Sequence, residues 1–192
     1  MDHGIYRRTR LKQVITAVCA GTLALTACQS QTQSSSDKTV ATEYRQFERE
    51  PSDRDRPEVE FQEEPLVDLD DHYFRHLGVH GSTDFYMART DHQGTTAQGL
   101  CFIAVDDQHE DATNCVSPDE LDHMVVHLDA ASLGDPAEAF LVPDETQLEL
   151  PEGWDRVRDN VVIVTDPKKA ATEVEGRVPG VTDWEDVTLE RH

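Results

Sequence analysis

Lysine is nearly absent from this chain: Lys12, Lys38, Lys168 and Lys169 are the only four, and arginine supplies the other basic side chains. With 17 basic residues against 39 acidic ones the formal charge is −22, which repels nucleic acid and anionic headgroups. Aromatic residues make up 6 % of the chain. No apolar run reaches the ~20 residues that a spanning helix needs. The chain has no GxSxG elbow, HExxH helix, phosphate-binding glycine loop or SxxK pair, which removes the commonest hydrolase and nucleotide-binding signatures. CxxC is absent too, so the four cysteines give no zinc-ribbon spacing.

What is present begins with a three-part leader. Arg7, Arg8, Arg10 and Lys12 precede an apolar stretch, Val14 to Ala27, of about 14 residues. The stretch closes on Leu25-Thr26-Ala27-Cys28. This quartet resembles the lipobox of bacterial lipoproteins. The resemblance implies a signal peptide over 1–27, a mature chain starting at Cys28, and fatty acyl chains of the palmitate type on that sulfur. Each buried methylene contributes roughly 0.8 kcal/mol, and two or more chains hold stably where one does not. Arg7-Arg8-Thr9-Arg10-Leu11-Lys12 partly resembles a twin-arginine export signal; the general secretory route is the alternative. Removal of 1–27 takes away four basic residues and Asp2, leaving 13 basic against 38 acidic and a charge of −25.

The other cysteines fit an extracytoplasmic compartment. Cys19 leaves with the leader, and Cys101 and Cys115 remain for a disulfide in an oxidising environment. From residue 28 to 64 the chain is polar and charged, which reads as a flexible tether. Thr42 to Arg49 is a candidate transient helix within it.

The expected globular domain is 65–165. Phe85 to Ala88 and Leu100 to Val105 read as strands, joined by a turn-like Thr90-Asp91-His92-Gln93-Gly94. Asp106 to Asn114 reads as a polar loop. Ser117-Pro118-Asp119-Glu120 has the capping chemistry of a helix start. Met124 to Leu128, Ala139 to Val142, and Trp154 to Val157 with Val161 to Thr165 are further strands, the last two a hairpin around Arg158-Asp159-Asn160. The predicted fold class is α+β: a small, mainly antiparallel β-sheet with one or two short helices and one disulfide. The acidic tail 166–192 is either disordered or docks as an edge strand.

Phe85–Ala88, Cys101–Val105, Cys115–Leu121, Leu141–Asp144 and Asn160–Val164 together resemble a pattern in small lipoproteins and secreted proteins of actinobacteria. The resemblance covers about half of the chain. It implies a compartment and a fold, and it supplies no catalytic residues.

Three groups of side chains are candidates for chemistry. His72, His76 and His80 are four apart, below Asp70 and Asp71, and would share one face of a helix as a Zn or Cu site. Gly78 and Gly81 weaken that helix. His123 and His127 repeat the spacing without a third ligand. Asp106-Asp107-Gln108-His109-Glu110-Asp111 is rich in oxygen ligands but lacks the spacing and glycine of an EF-hand. The expectation is therefore a non-enzymatic, membrane-anchored extracytoplasmic lipoprotein, without cofactor, that binds a protein or cell-wall partner or serves an accessory role. A Zn- or Cu-binding surface lipoprotein is the alternative, and a wall-associated hydrolase the third reading.

Overall fold

The structure, a computed structural model, describes residues 44–61, 66, 69, 73–91, 98–117, 125–179 and 184–191. Strands β1 (Phe74–His80), β2 (Thr83–Asp91), β3 (Gln98–Val105) and β4 (Asp111–Val116) form a four-stranded antiparallel meander. Strands β5 (Val126–Asp129), β6 (Glu138–Leu141), β8 (Trp154–Arg158) and β9 (Val161–Val164) form a second sheet in the order β5-β6-β9-β8. A third sheet runs β11-β10-β7, from Trp184–Glu190, Glu173–Pro179 and the two-residue Gln147–Leu148.

The three sheets stack as layers. Alternate side chains of the first sheet, among them Leu77, Phe85, Met87, Leu100 and Phe102, pack on Val126, Leu128, Leu141, Val161 and Ile163 of the second. The other face of β2 and β3 buries Tyr86, Ala88, Cys101, Ile103 and Val105 under Val59, Phe61, Leu66 and Leu69 of the N-terminal segment. The other face of β6 and β9 buries Phe140, Val162 and Val164 under Val174 and Leu189 of the third sheet. Strands covered on both faces cannot alternate apolar with polar, which explains the unbroken runs Leu100–Val105 and Val161–Val164. Each large side chain buried in this way contributes about 1.5–3 kcal/mol.

Several expectations need correction. Among the described residues no α-helix occurs; helical turns are of the 3-10 type, as at Arg45–Glu48 and Ala131–Leu133. Of the expected helix start, 118–120 lie outside the described residues. Residues 44–61 do not form a free tether: Tyr44 and Asp55 are buried, and Phe61 stacks on Phe74 with ring centroids 5.8 Å apart. Polar composition misled there because the few apolar residues, at Tyr44, Phe47, Val59 and Phe61, are the ones that face the sheet. The polar stretch 111–116 is an edge strand, and 173–190 adds a hairpin on the second sheet. Cys101 and Cys115 sit directly opposite each other in the β3–β4 register and form the expected disulfide.

Candidate functional site

The N-terminal segment is held to the edge of the first sheet by two buried charges. Arg75, on β1, donates from Nε to Gln46 O at 2.8 Å and from Nη2 to Arg49 O at 3.1 Å, and its guanidinium lies over the Phe47 ring. Burial, ahead of the neighbouring Arg49 charge, lowers its pKa. Asp55, 1 % exposed, accepts from Arg49 through both carboxylate oxygens. It also accepts from Ser52 N at 2.6 Å, from Ser52 Oγ at 2.8 Å and from His76 N at 2.8 Å. Burial alone would raise the Asp55 pKa. Arg49 and the His76 and Ser52 donors outweigh it and hold the carboxyl well below the usual range. The bond from His76 N satisfies a donor on an edge strand, where the ladder leaves it open.

This docking creates a cleft of about 370 Å³ between 53–58 and the outer face of the first sheet. Its lining includes Asp53, Arg54, Arg56, Glu58, His76, Val79, Asp84, Tyr86, Asp106 and His109. His76 Nε2 lies 2.7 Å from Asp84 Oδ1. A carboxylate accepts only, so the proton sits on Nε2 and the ring donates. The Tyr86 ring meets His76 edge-on, with centroids 5.1 Å apart. Burial, then the charges of Asp84, Glu58 and Asp55, push the Tyr86 hydroxyl up to about 12, so it keeps its proton at neutral pH.

The histidine triplet does not assemble as expected. His72 lies outside the described residues, and His76 and His80 are on a strand, not a helix. The register slips between His76 and Gly78: His76 opposes Tyr86, Gly78 opposes Phe85, and His80 opposes Thr83. That bulge reverses the alternation, so His76 faces the cleft and His80 turns to the other face, 3.9 Å from Asp135 Oδ2. One metal ion cannot be shared across a sheet. Gly78 also lets β8 come close, since a Cβ there would stand 3.0 Å from Val157 Cγ1.

The other candidates among the described residues make contacts that shape the fold. His123 lies outside the described residues. His127 stacks on Phe140 at 4.8 Å and lies 3.4 Å from Glu138 Oε2, while Arg191 Nε bonds Glu138 Oε1 at 2.8 Å. That group ties the end of β11 to the second sheet. In the acidic loop, Asp106 Oδ1 accepts from Gln108 N at 2.8 Å and Glu110 N at 2.9 Å, so it shapes the β3–β4 turn. Among the described residues no three His, Cys, Asp or Glu side chains converge as metal ligands. Cys28 lies outside the described residues.

No family model, curated protein or solved structure matches the chain.

Sequence reading missed Asp84 and Tyr86. The signal was there: in Thr83-Asp84-Phe85-Tyr86-Met87, Asp84 and Tyr86 share one face and Phe85 and Met87 the other. Asp53 and Glu58 carried no such signal, because only tertiary docking brings them to the strand.

Proposed function

We propose that this chain is a lipid-anchored extracytoplasmic binding or accessory protein and not an enzyme. The observation that carries the reading is the basic, apolar and small-residue leader ending at Leu25-Thr26-Ala27-Cys28. A disulfide between Cys101 and Cys115 is in keeping with an oxidising compartment. No described helix is long and apolar enough to cross a membrane; in this reading the attachment is a lipid on Cys28. The resemblance to small actinobacterial lipoproteins belongs to the same reading. So do the one or two short helices expected beside the β layers.

The cleft beside His76 is where such a protein meets its ligand. The His76–Asp84 pair lies on the cleft wall, with His76 Nε2 2.7 Å from Asp84 Oδ1. Intact mass spectrometry of the membrane-extracted protein is expected to show a chain starting at Cys28 with added acyl mass. Cys28→Ala is expected to move the protein from the membrane pellet to the soluble fraction. Wild-type protein recovered unprocessed from the cytosol would refute the reading.

A further inference from the structure

We propose that the cleft between 53–58 and the first sheet binds an alkylammonium group, as borne by a free polyamine or a lysine side chain. This deepens the binding reading above and rests on it, but it does not depend on the anchor.

The cleft is built from parts that suit such a group. Five carboxylates line it, from Asp53, Glu58, Asp84, Asp106 and Asp107, against two arginines. Arg56 is already engaged: its Nη1 bonds Leu69 O at 3.1 Å and its guanidinium lies over the Phe74 ring. Asp84 and Asp106 are held by internal hydrogen bonds, whereas Asp53 and Glu58 make no ion pair or side-chain hydrogen bond among the described residues.

Acidic side chains alone would attract cations diffusely. Tyr86 distinguishes this place from the rest of an acidic surface. It is only 8 % exposed, lines the cleft, and its hydroxyl makes no hydrogen bond among the described residues. The ring is buried while the hydroxyl opens into the cleft, where an ammonium N–H can bond its oxygen directly.

The apolar lining completes the match. Val79, 51 % exposed, is the one large hydrophobe left open among the described residues, and it borders the cleft with Val105. An alkyl stem lies on valine while the charged head reaches carboxylate and hydroxyl. A bare metal ion fits less well, because His76 Nε2 is committed to Asp84 and no three ligating side chains converge among the described residues.

Calorimetric titration of the full-length chain at low and physiological salt tests this. Spermidine and the peptide acetyl-Gly-Lys-Gly-amide are the two probes, with butanol as the uncharged control. Saturable binding of one probe is expected, weakened at least fivefold by Tyr86→Phe and at least tenfold by Asp53→Asn with Glu58→Gln. Glu175→Gln with Asp186→Asn, on the third sheet, is expected to change nothing. Spermidine alone binding assigns a free amine, and the peptide alone assigns a partner's side chain. Binding that Tyr86→Phe leaves intact, or that the third-sheet variant weakens equally, is diffuse charge attraction and overturns the proposal, as does no binding. A cell-surface partner captured equally by wild type and cleft variants would remove this site while leaving the binding reading standing.

Discussion

Asp55 is the residue on which the N-terminal segment turns. It is buried, it takes Arg49 on both oxygens, and it closes an open donor of β1. Removing one partner of such a pair leaves the other without its counter-charge, which costs more than the pair contributes. Asp55→Asn is expected to lose about 2–4 kcal/mol at pH 7, read from denaturant midpoints. The pH dependence has a definite sign. The folded carboxyl titrates below its unfolded value, so its stabilisation is complete above roughly pH 4 and fades as pH falls towards the folded value. Wild type is expected to lose stability on going from pH 5 to pH 2.5, and Asp55→Asn to lose measurably less over that interval. Equal losses would show that other carboxylates dominate the acid response.

Arg75 acts on the same segment from the opposite face of β1. Its planar guanidinium gathers the carbonyls of Gln46 and Arg49, which a lysine ammonium would not match in geometry. In Arg75→Lys, amide hydrogen exchange is expected to speed up at least tenfold over 45–56 while β3 and β9 keep their protection. Uniform loss of protection would mean that the segment and the sheets unfold as one.

Among the elements, β1 and β4 show most clearly where pattern and structure part. Strand β4, Asp-Ala-Thr-Asn-Cys-Val, is polar because it is an edge, and polarity alone reads as a loop. What fixes it is the ladder to β3 and the Cys101–Cys115 bond between directly opposed residues. The two cysteines are 14 residues apart, for which the loop-entropy contribution is about 3 kcal/mol. Cys101→Ala with Cys115→Ala is expected to lower the unfolding free energy by up to about that amount, and reducing agent is expected to shift wild type alone. In β1 the slip between His76 and Gly78 decides which histidine meets the cleft. Spacing of four along a sequence says nothing about a bulge, since the bulge answers to pairing with β2.

Across the whole molecule, layers and charge pull in opposite directions. Two strands of the first sheet and two of the second are covered on both faces, by the N-terminal segment, by each other and by the third sheet. Against this stands a charge of −22, whose self-repulsion opposes compaction. Raising salt from about 0.01 to 1 M shrinks the screening length from roughly 30 to 3 Å. Thermal melting is therefore expected to shift upward by several degrees over that range, and a flat response would mean that the charges are already spaced beyond mutual reach.

The sequence by itself determined what depends on short stretches of chain: the central strands at Leu100–Val105 and Val161–Val164, and the hairpin around Asp159. Continuous apolar runs and turn residues carry that information locally. The tertiary structure alone decided what depends on contacts between distant segments. Residues 44–61 fold back because Asp55 and Tyr44 find partners far along the chain, and the 173–190 hairpin orders because Phe140, Val162 and Val164 need a cover. The cleft exists only once the first of these has happened: Asp53 and Glu58 arrive from one segment, Asp84 and Tyr86 from another, and a one-residue slip in β1 leaves His76 facing them while His80 turns away.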